Sequence, residues 1–271
     1  MTTATTDGLR PVGFGSLMRS ELTKIRSVRS TVWSLVLLVV VTWGFTALFV
    51  GLGAATWDET APADRALIVA DPTSVILGSG VLIGQLAMCV LGVLVITSEH
   101  ATGTIRASLL AVPKRLPLLA AKVAVFGLLV LVTGVVVSFG SFFVGQPLLA
   151  DIVPVSLGDP GVLRAVVGGG LYLAMVGLFA LAVGAIVRHT AAGITGVIGF
   201  VLVLAPMARL LPGSVGDRVH AYLPTEAGHL IAQARQAPGD LLTPWQGYGV
   251  FALWTVALLV VAAILLDRRD A

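Results

Sequence analysis

Six long stretches of this chain contain no Asp, Glu, Lys or Arg, and they constrain its fold more than any other feature. They run 30–57, 72–98, 123–150, 165–187, 189–208 and 241–266. Each is long enough for the roughly 20 residues that cross a bilayer. Charged residues make up only 11% of the chain and mean hydropathy is +0.99, values outside the range of soluble domains. We therefore predict an all-α membrane protein with six transmembrane helices, placed at 31–53, 75–97, 119–141, 165–187, 191–211 and 247–266.

The domain organisation follows from these spans. Residues 1–30 are predicted to be a cytoplasmic tail and an amphipathic interfacial helix, 31–266 the six-helix domain, and 267–271 a C-terminal tail. The polar, basic start and the long apolar run after it do not resemble a secretory signal peptide. The single cysteine, Cys89, excludes a disulfide framework or a thiolate metal site within the chain.

The distribution of lysine and arginine predicts the orientation of the spans. If both termini are cytoplasmic, 12 of the 17 basic residues lie in cytoplasmic segments, and 9 of the 14 acidic residues lie in outer segments. This matches the positive-inside rule, which the reverse topology would violate. We expect a multi-pass plasma-membrane protein with both termini in the cytoplasm. Its basic pI does not indicate nucleic-acid binding, because the cations are spread along the membrane face.

Residues 13–30 have an amphipathic helical pattern, with Phe14, Leu17, Met18, Leu22, Ile25 and Val28 close to one stripe. Such a basic helix lies in the membrane interface and contacts lipid headgroups. Two roles remain open for it, a simple anchor or a contact with a partner protein. Among the outer loops, 54–74 is expected to be a solvated loop and 146–163 to be irregular. Residues 225–236 are expected to form an outer helix between the fifth and sixth spans.

The segment 98–122, between the second and third spans, is too long and too patterned for a tight turn. Glu99 and Gly103 interrupt the second span, and Thr104 is placed to cap a short helix. The helix is expected to end before Pro113, which disfavours helical geometry at the residue before it. Its apolar face and the flanking cations are Ile105, Leu109, Val112, Lys114, Arg115 and Lys122. A helix in this place predicts contact with something lying against the cytoplasmic face.

Polar side chains are scarce inside the predicted spans. Gln85 is the only strongly polar residue near a span centre, and either an interhelical hydrogen bond or a substrate contact would explain it. No acid lies within a span to couple transport to ions, which disfavours an ion-driven transporter. Several groups of small residues allow close helix approach, either within one bundle or at a dimer seam. These groups are Gly80 with Gly84, Ala180 with Gly184, and Gly193, Gly196 and Gly199.

The sequence carries no signature of catalysis or of ATP binding. The four histidines fall at membrane edges or in loops, without metal-ligand spacing, and no G-x-S-x-G motif occurs. A phosphate-binding loop needs G-x-x-x-x-G-K-[ST], but none of the three lysines follows glycine. We therefore expect no enzyme activity, no catalytic residues, and no cofactor or metal in this chain. Energy for any driven process must come from another chain.

The pattern E-x-x-x-G-T, then L-L-x-x-P, K-R and a later lysine, resembles the inner loop of permease subunits of type 2 ATP-binding-cassette exporters. The matching residues are Glu99, Gly103, Thr104, Leu109, Leu110, Pro113, Lys114, Arg115 and Lys122. The predicted topology agrees along nearly the full chain, and the run E-L-T-K-I-R-S-V-R-S and the R-R-D ending look similar to actinobacterial members.

This resemblance implies a bacterial permease that pairs with a second copy or a paralogue and with cytoplasmic ATPase subunits. ATP and magnesium would bind to those ATPases, and the loop helix would dock in a cleft of the ATPase. The residues implied in ATPase coupling are Glu99, Gly103, Thr104, Arg106, Leu109, Pro113, Lys114, Arg115 and Lys122. Glu99 would pair with a basic residue across the loop or cap a backbone group. Its alternative role is that of a charge that ends the second span at the membrane interface. The substrate would be lipophilic, such as a drug, peptide or lipid. The alternative is a membrane immunity or assembly protein that does not transport.

Overall fold

The structure, a computed structural model, describes residues 13–27, 29–102, 115–237 and 239–269. Within these ranges the chain is helical and contains no strand. Most of the loop implied in ATPase coupling lies outside the described residues. The positions concerned are Gly103, Thr104, Arg106, Leu109, Pro113 and Lys114. The helix predicted after Thr104 therefore stays a prediction.

Ten helices cover the described residues. They are α1 (Phe14–Ser27), α2 (Arg29–Ala55), α3 (Pro62–Ala70), α4 (Pro72–Ala101), α5 (Arg115–Leu149), α6 (Val162–Val187), α7 (Thr190–Leu210), α8 (Gly213–Tyr222), α9 (Pro224–His229) and α10 (Pro244–Arg269). Within α7, residues Phe200–Leu204 form a π-helical segment. Six of the ten, α2, α4, α5, α6, α7 and α10, are long and apolar enough to cross a membrane. The six predicted spans are confirmed in number, order and position.

Local sequence explains where several helices start and stop. Asp71 caps α4 by accepting a hydrogen bond from the backbone N–H of Ser74 at 3.0 Å, and Pro72 occupies the first turn. Arg188 ends α6 with left-handed backbone geometry, φ +57°. His189 then caps α7, where its Nδ1 accepts from the N–H of Ala192 at 3.3 Å. This two-residue reversal makes α6 and α7 antiparallel neighbours, as their short connection predicts.

Helix α6 is the centre of the bundle. In its most apolar stretch 67% of the residues are buried, against 17% in α10. Helices α4, α5, α7 and α10 all pack on α6, and α2 packs on α4 and α5. Small residues make the closest contacts possible. A Cβ on Gly134 of α5, for example, would lie 2.6 Å from the carbonyl oxygen of Gly170 in α6.

The groups of small residues found in the sequence divide into two kinds. A Cβ added at Gly80, Gly84, Gly184 or Gly193 would meet a side chain or backbone of a neighbouring helix. These glycines therefore serve packing within one bundle. A Cβ at Gly196 or Gly199 would meet nothing within 4 Å. Those two positions contribute no such packing.

Three loop predictions need correction. Residues 54–74 are not all loop, because they contain a 3₁₀ turn at Trp57–Glu59 and the exposed helix α3. Helix α5 continues to Leu149 through Pro147. The outer helix expected at 225–236 ends early, since α9 stops at His229 and a 3₁₀ turn, Leu230–Ala232, follows. The guanidinium of Arg164, on α6, donates to the carbonyls of Ile231 and Ala234 beyond this end, at 3.4 and 3.0 Å. Helix α8 was not predicted.

Candidate functional site

Four charged side chains meet where α1, the end of α4 and the start of α5 come together. We call Glu21, Lys24, Glu99 and Lys122 the ionic cluster. The Nζ of Lys122 lies 2.8 Å from Glu21 Oε2 and 2.7 Å from Glu99 Oε1. The Nζ of Lys24 lies 2.6 Å from Glu21 Oε1 and 3.3 Å from Glu99 Oε1. Each lysine therefore bridges both carboxylates.

The ionic cluster is largely removed from solvent. The side chains of Glu21 and Lys122 are each 5% exposed, Glu99 14% and Lys24 34%. Apolar side chains of four helices, including Leu118, Ala185 and Ala262, line the same small cavity as Glu99 and Lys122. Charges in such surroundings are stable only when they are paired and hydrogen-bonded. Each lysine of the cluster is paired with both carboxylates, so all four charges have partners of opposite sign.

The pKa values of the two α1 residues respond to this pairing. Burial by itself would raise the pKa of Glu21, but attraction and hydrogen bonding from Lys122 and Lys24 outweigh it and hold that pKa below its ordinary value. Burial would likewise lower the pKa of Lys24, whereas its contacts with Glu21 and Glu99 raise it. Glu21 and Lys24 are therefore charged around neutral pH, which keeps their attraction intact.

The cluster gives the predicted amphipathic helix α1 a buried side. The predicted stripe contains Leu17, which is buried, and Phe14 and Leu22, which are 48% and 47% exposed, as side chains that contact lipid would be. The buried side passes through Leu17 and Glu21. Residues four apart share one side of a helix, so the same face that packs Leu17 delivers Glu21 to Lys122. Helix α1 is thus attached to α5 by both packing and charge.

Sequence reasoning identified half of the cluster and missed the other half. Glu99 and Lys122 were singled out, and the structure shows that Glu99 pairs with a basic residue across the loop. Helix α4 continues past Glu99 to Ala101, so this charge does not end it. Glu21 and Lys24 were missed, although a signal existed. Apart from Asp7, Glu21 is the only acidic residue before Asp58, in a strongly basic stretch.

The position of the cluster matters more than its strength. Glu99 lies just before residues 103–114, and Lys122 lies just after them, near the start of α5. The ion pairs therefore close both ends of that segment onto each other and onto α1. Helices α4 and α5 both pack against α6, so the helices that carry the cluster also contact the centre of the bundle. Arg115, the first residue of α5, begins the same rigid unit.

Gln85 has a partner inside the bundle. The hydroxyl of Tyr172 on α6 donates a hydrogen bond to Gln85 Oε1 of α4 at 2.7 Å, and both side chains are buried. Of the two interpretations of Gln85, the interhelical hydrogen bond is therefore present. A substrate contact at this residue stays an untested prediction.

Comparison with known proteins adds no assignment. No protein-family model matches the chain, and no curated protein matches its sequence. The six candidate spans and the ionic cluster are therefore the features that bear on function.

Proposed function

We propose that this chain is the membrane-spanning subunit of an ATP-driven exporter, of the type 2 ATP-binding-cassette class. It would work with a cytoplasmic ATPase and with a second permease, either another copy or a paralogue. The six candidate spans make it a multi-pass membrane protein, possessing the bundle that a transporter needs. Its cargo would be lipophilic, in keeping with the apolar interior of the bundle.

The observation that carries this proposal is the ionic cluster. A partner that pushes on residues 103–114 needs a rigid connection from that segment to the spans. Glu99 and Lys122 bracket the segment and are joined at 2.7 Å, and α1 is joined to both through Glu21 and Lys24. A force on the segment would therefore move α1, α4 and α5 together rather than bend a loop. Rigid-body shifts of packed helices are an established way of switching between two states.

Two features of the sequence support the remaining parts. The chain contains no phosphate-binding loop of its own, so an exporter built on it would take its energy from a separate ATPase. The bias of lysine and arginine toward the end that carries the termini would place the ionic cluster on the cytoplasmic side, where such an ATPase is found. The coupling roles of Gly103, Arg106 and Pro113 belong to the same proposal.

Co-purification tests the proposal directly. The full chain, tagged and isolated from its native membrane in mild detergent, should retain a cytoplasmic ATPase in stoichiometric amount. Arg106→Ala, in the segment between Glu99 and Lys122, should reduce this retention or uncouple ATP hydrolysis from transport. Arg218→Ala is the matched control, because Arg218 is an exposed arginine of α8, a helix distant from the ionic cluster.

Two results would contradict the proposal. One is a chain that is active in its native membrane but retains no ATPase. The other is equal loss of ATPase retention in the Arg106→Ala and Arg218→Ala variants. A chain that confers resistance to a lipophilic peptide without transport or ATPase would instead be a membrane immunity protein.

A further inference from the structure

A second polar site lies at the opposite end of the bundle from the ionic cluster. There the end of α7, helices α8 and α9, and residues 233–237 and 239–242 line a cavity of about 610 Å³. Cavities of roughly 300–1,000 Å³ are typical of small-molecule sites. Its charged and polar lining includes Arg209, Asp217, His220, Glu226, His229 and Asp240. We call it the α8–α9 pocket.

Acidic side chains outnumber basic ones in the lining of this pocket. Three carboxylates, Asp217, Glu226 and Asp240, face one guanidinium, that of Arg209. Burial lowers the pKa of His229, against a smaller opposing effect of Glu226, and it also lowers the pKa of His220. Arg209 depresses the pKa of His220 further, while Glu226 and Asp217 oppose the shift. Both histidines are therefore neutral at pH 7 and leave the excess negative charge in place.

Glu226 has one carboxylate oxygen that receives no hydrogen bond. Its Oε2 lies 2.9 Å from His220 Nε2, and Arg209 Nε lies 2.8 Å from the same ring nitrogen. A carboxylate accepts hydrogen bonds on both of its oxygens. Among the residues that the structure describes, no group donates to Oε1 of Glu226.

The other walls favour an apolar group. Leu230, Leu241 and Leu242 line the cavity beside the acidic residues.

The carboxylates of the pocket differ in their partners. Asp240 already accepts a hydrogen bond from the backbone N–H of Ala237 at 2.8 Å, whereas the exposed Asp217 makes no side-chain hydrogen bond in the described part of the chain. In those described ranges, no three His, Cys, Asp or Glu side chains are grouped to hold a metal ion. Asp217 and Oε1 of Glu226 therefore offer acceptors for a positively charged donor.

We propose that the α8–α9 pocket binds a ligand with a protonated amine on an apolar body, the ammonium group contacting Glu226 and Asp217. The leucine side chains contact the apolar part. The site needs neither ATP nor a partner subunit. If the chain is an exporter, its cargo then includes cationic amphiphiles, but binding itself is independent of the proposed function. Failure of ATPase co-purification would therefore leave this inference standing, and the reverse also holds.

Binding can be measured by calorimetry on the full chain in nanodiscs of zwitterionic lipid, with empty nanodiscs as the blank. Phenylbutylamine, phenylbutanol and phenylbutyrate are matched probes that differ only in the head group. We expect the amine to bind about tenfold or more tightly than the alcohol, which is the effect of one charge-assisted hydrogen bond. The carboxylate should bind more weakly than either, because the pocket is negative.

Variants locate the binding. E226Q and D217N should each weaken amine binding about fivefold to tenfold and leave alcohol binding unchanged. D64N is the control, since Asp64 is an exposed carboxylate of α3 at the same end of the bundle but outside the pocket. If E226Q does not fold, amine binding by D217N still tests the proposal, because the side chain of Asp217 is exposed and supports no packing. Equal affinity for all three probes, tighter binding of the carboxylate, or equal losses in D64N and D217N would overturn the proposal.

Discussion

Replacing Lys122 with methionine is the sharpest test of the ionic cluster. Methionine keeps an unbranched apolar side chain of similar length but removes the ammonium group that lies 2.8 Å from Glu21 and 2.7 Å from Glu99. Among the cations that the structure describes at the cluster, Lys24 alone then remains beside the two carboxylates. We expect α1 to detach from α5 and the free energy of unfolding to fall.

The expected loss follows from the burial of the two carboxylates. Removing one partner of a buried ion pair costs about 3–5 kcal/mol, because the remaining charge is left uncompensated. Lys24 offsets part of this cost, but its side chain is 34% exposed, and exposed pairs contribute only about 0–1 kcal/mol. We therefore expect Lys122→Met to cost about 3 kcal/mol. Lys24→Met, the matched control, should cost about 1 kcal/mol or less.

A double-mutant cycle separates charge from packing. Glu99→Gln combined with Lys122→Met removes one of the stranded charges, so the double variant should be more stable than the sum of the single losses predicts. The coupling should be about 1–3 kcal/mol. Unfolding in mixed micelles gives the free energies, and thiol labelling of Leu17→Cys reports the docking of α1. The native Cys89 is buried and adds little background.

Two results would refute this reasoning. The free energy of unfolding of the Lys122→Met variant could be within about 0.5 kcal/mol of that of the unmodified chain, which is the range of surface substitutions. Alternatively, the losses in the cycle could add to within about 0.5 kcal/mol, as they do for independent sites. Either would mean that the four charges do not act as one unit.

Three further predictions follow from individual contacts. Because the folded-state pKa of Glu21 is lowered from 4.5, its stabilisation of docked α1 is complete above that pH and is lost as the pH falls through the lowered pKa; thiol labelling against pH measures this. Gly92→Ala puts a Cβ against a backbone carbonyl of α6 and should cost about 1–3 kcal/mol in unfolding free energy, whereas Gly196→Ala should cost nothing. Tyr172→Phe removes the hydrogen bond to Gln85 and should cost about 1 kcal/mol in the same assay.

Each of these predictions has its own contrary result. Labelling of α1 that increases only above neutral pH would show that Glu21 does not hold it. Equal stability of the Gly92→Ala and Gly196→Ala variants would exclude tight packing of α4 on α6. If Tyr172→Phe leaves stability unchanged but alters transport, Gln85 acts on the substrate rather than on the bundle.

The spans could be predicted from sequence because hydropathy and charge add up residue by residue. A stretch such as 165–187 is apolar along its whole length, so its path across a membrane does not depend on distant contacts. The short connection at Arg188 and His189 likewise makes α6 and α7 neighbours without further information. Loops are harder to predict, as the residues after α9 show, because their carbonyls accept hydrogen bonds from Arg164 of another helix.

The candidate site depends on contacts that no local pattern contains. Glu21 and Lys122 are 101 residues apart in the chain, and each reads locally as an ordinary charge near a membrane face. Whether such a charge is solvated or buried depends on which helices pack around it and which opposite charges they bring. The sequence by itself determined the six candidate spans and the unusual segment between the second and third. The tertiary structure alone decided that Glu21, Lys24, Glu99 and Lys122 form one buried cluster, since the stability of a buried ion comes from partners that only folding brings together.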